Sequence, residues 1–169
     1  MKAVFFDRDG VINEVVWRND KPASPRNLKE WKLNEVWVPI METLKEQGWK
    51  IFIVTNQPDV ARKLLEWEQL DQMHQEIVSK FPIDEIAVCP HDDQDNCACR
   101  KPKPGMLLQL AESWGIDLSQ SWFIGDSWKD MDAAKAAGCK TILIAASYNE
   151  KIESDFRLQD PAMCLTLIK

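Results

Sequence analysis

Short apolar runs separated by amphipathic stretches pattern this chain. Ala3-Val4-Phe5-Phe6, Ile51-Phe52-Ile53-Val54, Ile86-Ala87-Val88, Trp122-Phe123-Ile124 and Thr141-Ile142-Leu143-Ile144 are rich in β-branched or aromatic residues and apolar on consecutive positions. A half-exposed strand would alternate, so this pattern predicts strands covered on both faces, as in a parallel sheet. Helical periodicity falls between them, near residues 35–47, 65–80, 106–114 and 129–137. Gly48, Gly115 and Gly138 stand where three of these helices should stop. Strand and helix in alternation predict an α/β fold, a doubly wound parallel sheet. A chain of 169 residues suits a single domain over 1–169 with a sizeable core. From Ser147 the tail turns polar, and its last apolar run, 163–168, fits either an edge strand or a helix.

Ligands of such sheets bind beyond the carboxyl ends of the strands. Polar residues fall there three times: Asp7 after the first run, Thr55 after the second, Asp126 after the fourth. In Phe6-Asp7-Arg8-Asp9-Gly10 two carboxylates, one residue apart, enter a glycine turn. Acids so close repel unless a cation, a shared proton or solvent intervenes, and hard carboxylate oxygens suit Mg2+. One acid could then attack phosphorus while the other carries protons. Asp126, with Asp130 one helical turn on, could complete the ion's shell. Thr55-Asn56-Gln57 reads as a turn from strand into helix, offering a hydroxyl, an amide and backbone N–H groups to phosphate oxygens. Arg100-Lys101-Pro102-Lys103-Pro104 sets three cations before a helix, with prolines stiffening the approach.

The cysteines add a second site. Cys89-Pro90-His91 and Cys97-Ala98-Cys99, joined by a short polar loop, supply three thiolates and an imidazole. That is a soft tetrahedral set for Zn2+ with no open position, hence a structural role for the loop within 89–99. Zinc there would also fix where Arg100 and Lys101 point. A net charge of -6 and a pI near 5.0 count against a nucleic-acid footprint but leave room for a small phosphorylated metabolite. No run nears the roughly 20 apolar residues of a membrane span, and no leader pattern opens the chain, so a cytoplasmic protein is expected. A monomer is expected as well. Of eight tryptophans, Trp37, Trp49, Trp114 and Trp122 fall on core patterns, whereas Trp17 and Trp128 flank motif loops where a ring could stack on a sugar.

Asp7-Arg8-Asp9-Gly10, Thr55, Lys101 and Gly125-Asp126, in this order, resemble the motifs of the haloacid dehalogenase superfamily of phosphatases from Asp7 to about Ile144. The resemblance implies a Rossmann-like domain, capless because neither inter-motif segment is long enough for a cap. It implies Asp7 as nucleophile forming an aspartyl-phosphate, and Asp9 as the acid and then the base. Mg2+ would sit on Asp7, the Asp9 backbone carbonyl and Asp126, with Thr55 and Lys101 around the phosphoryl oxygens. The cysteine-histidine loop narrows it to the branch of heptose-bisphosphate and histidinol-phosphate phosphatases, where the arginine matching Arg100 helps select substrate. Alternatives are another sugar-phosphate phosphatase, a polynucleotide 3'-phosphatase or a non-catalytic zinc-stabilised binding module. Two segments depart from that branch: Glu14 to Lys29 is longer and lacks a His-Gly-Tyr character, and Pro58-Asp59-Val60 replaces a Ser-Gly-Ile run. Both bear on sugar specificity, not on the phosphoryl chemistry.

Overall fold

All five apolar runs become adjacent parallel strands. The computed structural model describes residues 1–169. Its strands are β1 (Ala3–Phe6), β2 (Val16–Arg18), β3 (Lys21–Ala23), β4 (Lys50–Asn56), β5 (Glu85–Cys89), β6 (Trp122–Gly125), β7 (Lys140–Ile144) and β8 (Phe156–Leu158). The helices are α1 (Trp37–Glu46), α2 (Trp67–Lys80), α3 (Gly105–Trp114), α4 (Trp128–Ala137) and a short α5 (Cys164–Leu167). The main sheet runs β5-β4-β1-β6-β7-β8, every pair parallel.

Successive strand residues point to opposite faces, and each face is buried. Val4, Phe6, Ile51, Ile53, Trp122, Ile124 and Ile142 pack with Trp37, Met41 and Leu44 of α1 and Ile77 of α2. Ala3, Phe5, Phe52, Val54, Phe123 and Leu143 face Met106, Leu107 and Leu110 of α3 and Met131 and Ala134 of α4. Phe6 meets Trp37 edge-on with ring centroids 5.3 Å apart. Helices on both faces are what consecutive apolar positions require. Trp37, Trp49 and Trp122 are buried as expected, while Trp114 closes the rim of the second core half-buried.

The tail supplies both of the elements the sequence left open. Its parallel edge strand is β8, earlier than the apolar run, and the run itself forms α5, tucking Cys164 and Ile168 against the first core. One element went unforeseen, the antiparallel hairpin β2–β3. Its turn residues Asn19 and Asp20 both have positive φ, 51° and 58°, which matches the twist of a two-residue hairpin. No helix is long and apolar enough to cross a membrane.

Candidate active site

Asp7 leaves β1 while its N–H still pairs with Ile124 O of β6, at 2.9 Å. The chain then curls around the Arg8 carbonyl, which accepts from the N–H groups of Val11, Ile12 and Asn13. Gly10 takes φ +85° in this curl, and a Cβ there would come within 1.8 Å of Asp126 Oδ2. Only glycine lets the β1 loop lie against the β6 loop. Asp7, Asp9, Asn56, Arg100, Lys101, Asp126 and Asp130 thereby line one cavity of about 380 Å³ beyond the carboxyl ends of β1, β4 and β6.

Lys101 crosses beneath this cavity, 3% exposed, and spends all three protons. It donates to Asp7 Oδ1 and Asp130 Oδ1, each at 2.7 Å, and to Val54 O at 2.8 Å. Its loop is held in turn by Asn56, whose amide accepts from Lys101 N and donates to Lys101 O, both at 3.0 Å. Burial works against the ammonium, yet Asp130 and Asp7 hold its pKa above the ordinary value.

One cation does not balance the acids. Carboxylate oxygens of Asp7, Asp126 and Asp130 lie within 4.8 Å of one another. Asp130 is already engaged: its Oδ2 accepts from the N–H groups of Asp126 and Ser127 and from Ser127 Oγ, closing a capping box at the start of α4. Burial, then the Asp130 charge, pushes Asp7 well above the usual carboxylate range against the pull of Lys101. The same two causes push Asp126 up to about 7. Asp7 and Asp126 are thus hard oxygen donors short of positive charge, which fits a divalent cation such as Mg2+.

Asp9 lies in a different setting. Its side chain turns from the acid cluster toward donors: Arg8 Nη2 at 2.8 Å and Asn13 Nδ2 at 2.9 Å on Oδ1, Ser24 Oγ at 2.7 Å and Gln57 Nε2 at 2.9 Å on Oδ2. Burial alone would raise its pKa, but Arg8 and these hydrogen bonds outweigh it and hold it down. Arg8, fully buried, lies over the Trp31 ring and has Nη1 3.1 Å from His74 Nε2.

Several sequence expectations shift here. Residues 58–63 form turns, and α2 begins only at Trp67, so Thr55-Asn56-Gln57 is not a helix start; the Gln57 N–H pairs with Cys89 O. Gln57, taken as a substrate donor, is fully buried and spends its amide on Asp9 and Thr55 Oγ1. Thr55 is equally buried and does not line the cavity. Trp17 lines a neighbouring groove with Gly10, Asn13 and Tyr148, whereas half-exposed Trp128 lines the cavity of Asp7 and Asp126. Unforeseen were the donors Arg8, Asn13 and Ser24 to Asp9, and Tyr148 and Asn149 on Asp126. Arg8 sits inside the first motif and Asn13 three residues after it; nothing local marks the others.

Cys89, His91, Cys97 and Cys99 do converge. Sγ–Sγ separations are 3.6 Å for Cys89–Cys97 and 3.1 Å for Cys89–Cys99, and His91 Nδ1 lies 3.3–3.5 Å from Cys99 and Cys89. A zinc tetrahedron with ~2.3 Å sulfur arms has edges of about 3.8 Å, so the donor set fits that ion. Burial pushes the Cys89 thiol up to about 12; at Cys97 the N–H groups of Arg100 and Cys99 and the neighbouring thiols overcome it and hold the pKa near 6. Arg100 is tied to this loop through Asp93 Oδ1 at 2.7 Å and, more weakly, the His91 carbonyl. Arg62 clamps it from the other side with two bonds to Asp92, 2.6 and 2.8 Å.

A family model described as haloacid dehalogenase-like hydrolase matches residues 16–138. D-glycero-beta-D-manno-heptose-1,7-bisphosphate 7-phosphatase of Pseudomonas aeruginosa is 38% identical over 83% of this chain and 79% of its own. The enzyme of that name from Helicobacter pylori is 38% identical over 85% and 83%. A crystal structure of D,D-heptose 1,7-bisphosphate phosphatase from B. bronchiseptica, complexed with magnesium and phosphate, superposes with a TM-score of 0.85 at 30% identity, covering 99% of this chain and 98% of that one. This chain belongs to the haloacid dehalogenase-like hydrolases.

Proposed function

We propose that this chain is a magnesium-dependent phosphomonoester hydrolase that removes the 7-phosphate of D-glycero-D-manno-heptose 1,7-bisphosphate through an aspartyl-phosphate on Asp7. The observation carrying the reading is the convergence of Asp7, Asp9, Lys101 and Asp126 on one cavity, in a chain whose relatives bear that enzyme name. In this reading Asp7, Asp126 and the Asp9 backbone carbonyl hold Mg2+, and Cys89, His91, Cys97 and Cys99 hold Zn2+. Bound magnesium supplies positive charge to the phosphoryl oxygens and the two acids. The partner is a small phosphorylated metabolite met in the cytoplasm.

Lys101 pins one oxygen of Asp7 and so aims the other. That oxygen attacks phosphorus, and the bond to the sugar oxygen breaks. Asp9 gives its proton to the departing oxygen, which would otherwise leave as a poor alkoxide. Water then attacks phosphorus, Asp9 takes its proton, and the Asp7 carboxylate is released. The base step suits Asp9 as found, held ionised by Arg8, Asn13 and Ser24. The acid step needs a proton on it, which the doubly negative phosphate favours by raising its pKa on arrival. Arg100 and Lys129 at the mouth offer cations to the rest of the substrate, with zinc fixing the reach of Arg100.

The test is magnesium-dependent phosphate release from heptose bisphosphate and from histidinol phosphate, with Asp7→Asn as control. Release from the heptose, abolished in Asp7→Asn, supports the reading. Release from histidinol phosphate alone would overturn the substrate, and release unaffected by Asp7→Asn the mechanism.

A further inference from the structure

The segment after β7 brings two side chains onto Asp126 that no motif announces. Tyr148, the only tyrosine of the chain, donates its hydroxyl to Asp126 Oδ2. Asn149 donates Nδ2 to the Asp126 carbonyl at 2.8 Å and to Ile144 O at 2.9 Å. Its own Oδ1 accepts from Ala146 N and Arg157 Nη2, both at 2.9 Å, while Arg157 Nη1 reaches the Asn149 carbonyl. Asn149 is 1% exposed, so this loop is braced from both sides, by β7 and by β8. The tyrosine hydroxyl has little room to wander: a Cβ on Gly10 would lie 2.8 Å from it. On the outer side its ring meets Trp17 of β2 edge-on, centroids 5.9 Å apart.

We infer that Tyr148 is a positioning residue for the metal ligand Asp126. Its hydroxyl occupies Oδ2 and leaves Oδ1 for the ion, so the carboxylate presents one oxygen in one orientation. Asn149 fixes the backbone of the same residue, and Trp17 backs the ring. An unrestrained carboxylate must be ordered when the ion arrives; one already held by a donor is spared that cost, and loss of such a partner typically weakens metal binding about 10–100-fold. The inference rests on the magnesium reading given above.

The experiment is calorimetric titration of full-length wild type, Tyr148→Phe and Asp126→Asn with magnesium alone, alongside turnover at graded magnesium. Tyr148→Phe keeps the ring against Trp17 and removes only the donor. The expected result is a magnesium Kd raised about tenfold in Tyr148→Phe, none measurable in Asp126→Asn, and a matching rise in the magnesium concentration that half-saturates turnover. Tyr148→Phe titrating like wild type while Asp126→Asn has lost the ion overturns the positioning role and leaves the magnesium reading standing. Turnover lost equally at every magnesium concentration, with the half-saturation point unmoved, makes Tyr148 a structural prop and also overturns it. Wild type that takes up no magnesium, or Asp126→Asn that binds as well as wild type, removes the magnesium reading and the inference with it.

Discussion

His74 ties the acid stability of this protein to one imidazole. The Arg8 guanidinium has only donors, so His74 Nε2, 3.1 Å away, must accept and the ring must be neutral. A second proton would set two cations side by side in a buried site. Burial first, then Arg8, therefore holds the imidazole down at about 3, with Asp9 opposing weakly. In the unfolded chain it titrates near 6.5. Below 6.5 the unfolded state binds a proton that the folded state refuses, so stability falls as pH falls, by about 1.4 kcal/mol per pH unit until the pH nears the folded value. At pH 5 the loss is about 2 kcal/mol, or roughly 4–8 °C in Tm for a chain of this size. The assay is thermal unfolding of wild type and His74→Gln at pH 7 and pH 5. Glutamine offers Arg8 an amide oxygen and cannot take the proton. Carboxylates held low, such as Glu30 and Asp92 at about 2, lose their contribution only at more acid pH and are common to both proteins. Wild type should lose about 4–8 °C more than His74→Gln between the two pH values. Parallel losses would refute the argument.

Three other outcomes are expected. Stripping zinc with a chelator should abolish hydrogen-exchange protection of the 89–99 loop and lower turnover, because Arg100 is aimed through Asp93 and His91; full activity in zinc-free protein would sink this. Gly10→Ala should cost about 1–2 kcal/mol from its positive φ and, by driving a methyl into Asp126, lower turnover more than tenfold; wild-type kinetics would show that the two loops need no such close approach. Trp17→Ala should raise KM more than it lowers kcat if the exposed ring meets the substrate, whereas unchanged kinetics would leave it with Tyr148 alone.

The sheet and the acid cluster were legible because both follow local rules. Strands apolar on consecutive positions had to be covered on both faces, and three strand ends bearing polar residues had to meet at one edge of the sheet. The cysteine-histidine cluster was legible because its four residues lie within eleven residues of one another in the chain. Gln57 was misassigned for a physical reason. A polar residue just past a buried strand looks like a solvent-facing donor, yet its amide turns inward to meet Asp9 and Thr55. The bond belongs to a pairing 48 residues apart, which no local pattern encodes.

The same reasoning explains why the hairpin was invisible and why it matters. Each of its strands has three residues, mostly exposed or half-exposed, and one contains Pro22, so neither hydrophobic period nor β propensity marks it. What holds it is distant and polar: Arg18 grips Glu30 with two bonds, and Arg26 reaches Asp59 beyond β4 at 2.8 Å. From this frame Ser24 donates to Asp9 and Trp17 leans on Tyr148, while Pro22, Ala23 and Ser24 form one wall of the cavity. Asp9 and Asp126 are thus gripped by the hairpin on one side and the tail loop on the other, the two segments least patterned in sequence. A phosphate can be handled by strand ends alone, since its charge and geometry do not vary between esters. The remainder of the substrate must be read by the walls, and one of those walls is Pro22, Ala23 and Ser24, in the segment that departs from the heptose-phosphatase branch. Exchange of residues 14–29 for the corresponding loop of such a relative should therefore change KM among phosphate esters while magnesium-dependent turnover of a small aryl phosphate persists. A chimera inactive toward every ester, though folded and binding magnesium, would show that Ser24 and its neighbours serve the proton transfer of Asp9 more than the choice of sugar.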